Sequence, residues 1–152
     1  MFKKQNIRVT KKFTFDMAHA LYGYDGPCKN IHGHTYTLSI TLIGKPIENV
    51  QNPKNGMVID FSDFKNIVKK NFVDLFDHSL VLNANSPHSE IRDLKTNFEK
   101  INFVAFQPTC ENLLIHVLEK IKPNLPSEIE ICSIRLEETP SSYAEWFSED
   151  NL

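Results

Sequence analysis

Residues 32–44, HGHTYTLSITLIG, alternate without a break. His32, His34, Tyr36, Leu38, Ile40 and Leu42 share one parity, and Thr35, Thr37, Ser39 and Thr41 share the other. A period of two over this length specifies a β-strand with one apolar face, and the threonines suit the opposite, pleated surface. Gly44, Pro46 and the run QNPKNG at 51–56 end it. Residues 9–19 alternate in the same way. Val9, Phe13, Phe15, Met17 and His19 occupy the apolar parity, with Thr10, Lys12, Thr14, Asp16 and Ala18 on the other. Between the two strands, Gly23, Gly26, Pro27 and Asn30 mark a loop. Histidines therefore stand at the end of one strand and the start of the next, on the sides that face a core.

From Asp60 the period lengthens. Phe61, Phe64, Ile67, Val68, Phe72, Leu75 and Phe76 recur every three or four residues, which predicts a helix capped by Asp60 or Ser62. A second helix is predicted to begin at PTCEN, with Thr109 as N-cap, a stripe of Leu113, Leu114, Val117, Leu118 and Ile121, and a stop at Pro123. Residues 128–138 read as a strand with Cys132, Ile134, Leu136 and Glu138 on one parity, and 143–147 as a last short strand. Residues 83–107 lack a period and read as an irregular excursion with room for a short strand at 103–106. The expected architecture is one α+β domain over residues 1–152. Its sheet is antiparallel and four-stranded, with two helices on one face. Such a sheet leaves edges and one face to be covered, for which oligomerisation is one means.

The chain has 152 residues, enough for one domain with a real core, and eleven phenylalanines to fill it. A net charge of −2 and a pI near 6.3 give no electrostatic reason to expect nucleic acid or an anionic membrane as partner. No apolar run approaches the roughly 20 residues that span a bilayer, and the first residues hold lysines but no continuous apolar region. A cytoplasmic location is expected. Three widely spaced cysteines, Cys28, Cys110 and Cys132, fit free thiols rather than a disulfide framework.

His32 and His34 point the same way on a strand, with Cα atoms about 6.6 Å apart. Two imidazoles so placed can converge on one ion, and His19 is the natural third ligand; three histidines with an open position suit a catalytic Zn²⁺. The same spacing also suits a histidine pair that holds no metal, or a structural zinc that staples the sheet. Cys28, in the preceding loop, could be a fourth ligand, a nucleophile or a base. Cys110 and Cys132 read as buried. Asp77 and His78 follow the first helix; aspartate can orient a histidine, but adjacent residues rarely pair, so Asp77 is expected to cap or to serve another group. Glu138 ends an apolar strand face, where an inward carboxylate needs a donor such as adjacent N–H groups of a heterocycle.

These stretches, FTFDMAH, CKNIHGH, GMVIDFSDFK, FDH, PTCEN and LEET, occur in this order and together resemble the family of 6-pyruvoyl-tetrahydropterin synthases and QueD enzymes. The resemblance implies a tunnelling fold, in which subunits join their sheets into a barrel, commonly a homohexamer built as a dimer of trimers with active sites between subunits. It implies Zn²⁺ on His19, His32 and His34, and Cys28 as proton-abstracting thiolate assisted by Asp77 and His78. Glu138, with Thr109, would grip the pterin ring. The spacing Cys-x-x-x-His-Gly-His resembles the QueD branch, which makes 6-carboxy-5,6,7,8-tetrahydropterin from 7,8-dihydroneopterin triphosphate on the way to queuosine. The alternatives are a 6-pyruvoyl-tetrahydropterin synthase and a non-catalytic pterin binder.

Overall fold

A computed structural model describes residues 3–152. In chain order it contains β1 (Ile7–His19), β2 (His32–Gly44), α1 (Phe61–Val68), α2 (Asp74–Phe76) and β3 (Ser79–Asn83). Then follow α3 (Leu94–Asn97), β4 (Ile101–Val104), α4 (Cys110–Ile121), β5 (Glu130–Thr139) and β6 (Ser142–Phe147). One widened, π-type turn, Lys69–Val73, joins α1 to α2, so the predicted first helix runs on as a single rod to Phe76. Asp60 caps it by accepting the Ser62 N–H at 2.7 Å, and Thr109 caps α4 by accepting the Asn112 N–H at 3.2 Å.

The sheet has six strands in the order β4-β3-β1-β2-β5-β6, which corrects the expected four. It is also mixed. The β1–β2, β2–β5 and β5–β6 pairs are antiparallel, but β3 pairs with both β1 and β4 in parallel. The physical reason is burial. Val81 and Leu82, neighbours on β3, are both buried, so this strand is covered on both sides and shows no alternation to detect. A second correction concerns β5. A bulge lets Thr41 pair with Ser133 and Leu42 with Ile131, so Ile131 takes the core position and Cys132 is only half-buried.

The apolar parity of β1 and β2 is as expected. Phe15 lies opposite Tyr36 and their rings stack at 5.2 Å, while Phe13 lies opposite Leu38. These side chains, with Ile134 and Leu136 of β5, form one core with Phe64, Val68, Phe72 and Phe76 of the first rod and with Leu113, Leu114, Val117 and Ile121 of α4. The other parity carries hydroxyls and charges, among them the Thr10–Thr41 hydroxyl pair at 2.7 Å.

His116 of α4 sits against Phe72, Phe76 and Phe106, with ring centroids 6.3, 5.7 and 5.2 Å away. Burial, with the nearby Lys120 charge, lowers its pKa against the opposing pull of Glu119. The unfolded chain then takes up a proton on this histidine more readily than the folded one. Stability contributed by neutral His116 is complete above the ordinary histidine range, about 6.5, and is lost as pH falls below it. His116→Gln is expected to flatten the decline in urea midpoint between neutral and mildly acidic pH, measured by circular dichroism.

Candidate active site

Antiparallel register brings the histidines together. His19 lies directly opposite His32, and Met17 opposite His34, at the loop end of the β1–β2 hairpin. Gly33, between the two β2 histidines, packs against β1 so closely that a Cβ there would stand 3.2 Å from the Met17 carbonyl. The ligand nitrogens of His19, His32 and His34 all lie within 4.8 Å of one another.

The ring orientations decide what this cluster can hold. His19 Nδ1 donates to the Pro108 carbonyl at 2.7 Å, and His32 Nδ1 donates to the Asn30 carbonyl at 2.8 Å. A carbonyl can only accept, so each Nδ1 carries the proton and each Nε2 presents a lone pair. Those two Nε2 atoms face each other at 3.0 Å. His34 Nε2 is buried with no hydrogen-bond partner. The Glu138 carboxylate oxygens stand 4.0 Å from His19 Nε2 and from His34 Nε2, beyond hydrogen-bonding range but close enough to favour positive charge. Converging lone pairs, an orphaned nitrogen and a nearby carboxylate all fit a cation. Carbonyl partners of this kind also orient histidines that bind metals. His19 is 2% exposed. Burial, opposed by the Pro108 hydrogen bond and aided by the other two histidines, lowers its pKa to about 4, so the imidazole is neutral at pH 7. Tyr36 lies beneath, its ring 5.5 Å from His34, its phenol kept protonated by burial and by Glu138.

Beside the triad opens a cleft of about 280 Å³, lined by His19, His32, Cys28, Thr109, Glu138 and Tyr143, among others. Five of the expected site residues thus share one cavity. Cys28 sits in a short turn, Pro27–Lys29, and its carbonyl accepts the Leu21 N–H at 3.0 Å, which closes the loop. Cys110 also lines the cleft. The reading of it as simply buried missed this, although its place directly after the Thr109 cap was a usable signal. Its thiol donates to the Leu136 carbonyl at 3.2 Å, and burial, with Glu138 nearby, pushes its pKa up to about 11.

Asp77 and His78 are not in this cleft. They lie beside Asp16, on the opposite parity of β1 from His19, and His78 lines a separate cavity of about 1180 Å³ with Gly33, Thr35 and Lys100. His34, a member of the triad, lines this second cavity too. The two neighbours do pair, contrary to expectation. His78 has φ 57, and this left-handed backbone turns its ring so that Nδ1 lies 2.9 Å from Asp77 Oδ1. Asp77 also accepts the Asp16 N–H at 2.9 Å. Burial pushes its carboxyl up, but that hydrogen bond, His78 and Lys100 outweigh it and hold the pKa below the usual range.

Residues 8–149 match the 6-pyruvoyl tetrahydropterin synthase family. A 6-carboxy-5,6,7,8-tetrahydropterin synthase of Haemophilus influenzae is 40% identical over 142 residues, covering 92% of this chain and 98% of the relative. One from Rickettsia typhi is 34% identical over 143 residues, covering 91% and 99%. The structure of Caenorhabditis elegans 6-pyruvoyl tetrahydropterin synthase superposes with a TM-score of 0.67 at 25% identity, covering 97% of this chain and 99% of that one. The likeness thus runs almost end to end in sequence and in backbone alike, and the chain belongs to the 6-pyruvoyl tetrahydropterin synthase family.

Proposed function

We infer that the protein is a 6-carboxy-5,6,7,8-tetrahydropterin synthase that converts 7,8-dihydroneopterin triphosphate to 6-carboxytetrahydropterin, acetaldehyde and triphosphate. The observation that carries this reading is the meeting of Cys28, Glu138 and members of the histidine triad on one cleft. Within the family, the 40% identity to the Haemophilus influenzae carboxy synthase, against 25% to the Caenorhabditis elegans pyruvoyl synthase, supports this branch.

His19, His32 and His34 would hold Zn²⁺, whose chemistry is to polarise the oxygens of the substrate side chain and so acidify its C–H bonds. Glu138 accepts hydrogen bonds from the N–H groups of the pterin and fixes the ring, with Thr109 at the start of α4 as the neighbouring wall. A cleft near the small end of ligand sites, about 300 Å³, suits the bicyclic ring and leaves the triphosphate toward solvent. Cys28 Sγ takes the carbon-bound proton. His78, oriented through Nδ1 by Asp77, presents Nε2 for proton return. This pair lies outside its own chain's cleft, and in this reading it serves the site of a second copy. That arrangement requires an oligomer, consistent with the hexameric barrel of the tunnelling fold and with two edge strands, β4 and β6, open to pairing. A cytoplasmic place in queuosine biosynthesis follows from the same reading.

Incubation with dihydroneopterin triphosphate tests it. Acetaldehyde together with carboxytetrahydropterin is expected; a pyruvoyl product without acetaldehyde would assign the other branch, and no turnover would leave a binding protein. Glu138→Gln exchanges one acceptor for a donor at nearly constant shape. It is expected to weaken substrate binding by about 1.5–3 kcal/mol, the value of a hydrogen bond to a charged group, read as a rise in KM. An unchanged KM would remove Glu138 from the ring's contacts.

A further inference from the structure

The loop that carries Cys28 is held from outside by residues of the β3–β4 crossover and the segment before α4. Gln107 Nε2 donates to the Tyr22 carbonyl at 2.8 Å. The His88 ring meets the Tyr22 ring edge-on, with centroids 5.3 Å apart. Neither group is loosely placed. The Gln107 carbonyl accepts from the Thr109 N–H at 2.8 Å and from Asn112 Nδ2 at 3.0 Å, which ties it to the first turn of α4. His88 follows Pro87 in a short turn whose cap, Ser86, accepts the His88 N–H at 3.3 Å and donates to the Asn83 carbonyl at 2.8 Å. That turn is anchored to the sheet, since Ala84 N–H donates to the Val104 carbonyl at 2.7 Å and Asn85 Nδ2 to the Ala105 carbonyl at 3.2 Å.

The path from this brace to the thiol is short. Tyr22 is next to Leu21, and Leu21 N–H holds the Cys28 carbonyl. Downstream, the Asn30 N–H donates to the Pro27 carbonyl at 3.1 Å, and the Asn30 carbonyl in turn holds His32. Three consecutive residues each hold one wall of the cleft: the Gln107 side chain holds the Cys28 loop, the Pro108 carbonyl holds His19, and Thr109 caps α4.

We propose that Gln107 and His88, acting through Tyr22, are positioning residues that set the Cys28 thiol against the reacting centre. The proposal rests on Cys28 being the base. A brace of this kind acts on kcat more than on KM, because a displacement of about 1 Å in a reacting group can cost 10²-fold while ring contacts stay intact. The test uses the full-length protein as isolated. In His88→Ala/Gln107→Ala, amide hydrogen exchange in 21–30 and alkylation of Cys28 by iodoacetamide, located by peptide mass spectrometry, should each change by about three- to tenfold, the factor for one lost hydrogen bond. kcat should fall by about tenfold or more, with KM held within twofold. His88→Phe, which keeps the ring edge, should behave as the parent. Should the double variant fold poorly, Gln107→Met removes the donor at similar length and is read in the same way. Unaltered exchange and alkylation would overturn the proposal, as would a fall in kcat without them. Cys28→Ala decides only the role of the thiol, so failure of that assignment is visible separately from failure of the brace.

Discussion

Replacing Cys28 by alanine is expected to lower turnover by roughly 10²–10⁴-fold, the contribution of one positioned acid or base. Metal content should remain that of the parent. Two features of the cleft lead to this. Cys28 is not among the groups that converge on the ligand position, which His19, His32 and His34 form by themselves. The rival thiol on the same cleft, Cys110, is held protonated by burial and spends its S–H on the Leu136 carbonyl. It cannot take over when Cys28 is lost. Steady-state kinetics with metal analysis of the same samples checks both halves; full activity in the variant would reject the thiol as base.

The second large effect is expected at His32. His32→Ala leaves two imidazoles where there were three and removes the anchor to Asn30. Loss of outer-sphere partners alone costs 10–100-fold in metal affinity, so deleting a ligand should cost more than about 100-fold. Activity should vanish with the metal. The fold should not, because the triad lies at the end of the hairpin while Phe15, Leu38, Phe72 and Val117 belong to a hydrophobic core of which the three histidines are not members. A chelator should therefore strip activity well before it alters the far-ultraviolet circular dichroism. A structural zinc would behave in the opposite way, unfolding as the metal leaves.

The histidine triad was legible because alternation determines facing. Once His19 and the two β2 histidines share the apolar parity, only hairpin register is needed to bring them together, and the register does so. The same logic failed where burial is two-sided. β3 is five residues long with Val81 and Leu82 both buried, so SLVLN at 79–83 shows no period in its burial, and the parallel half of the sheet was lost with it. It failed again at the β5 bulge, where one extra residue moves Ile131 into the core and Cys132 out of register without any change in composition. The Asp77–His78 pair depended on a left-handed backbone at a non-glycine residue, which no neighbouring residue announces. Gln107 was invisible for a different reason. Its part is a single side-chain contact to a distant carbonyl, and such contacts have no motif.

The position of the triad along the chain separates two stages of assembly. His19, His32 and His34 belong to one hairpin near the start of the chain, whereas Glu138 arrives on β5, after the α1–α2 rod and α4 have been made. Local pairings form early and distant ones late. A lone two-stranded hairpin is marginal in water, and a cation gripped at its loop end would add a link between the two strands while the remaining strands are still being synthesised. The histidine triad is thus a property of residues 19–34, whereas the cleft it shares with Glu138 is a property of the finished domain.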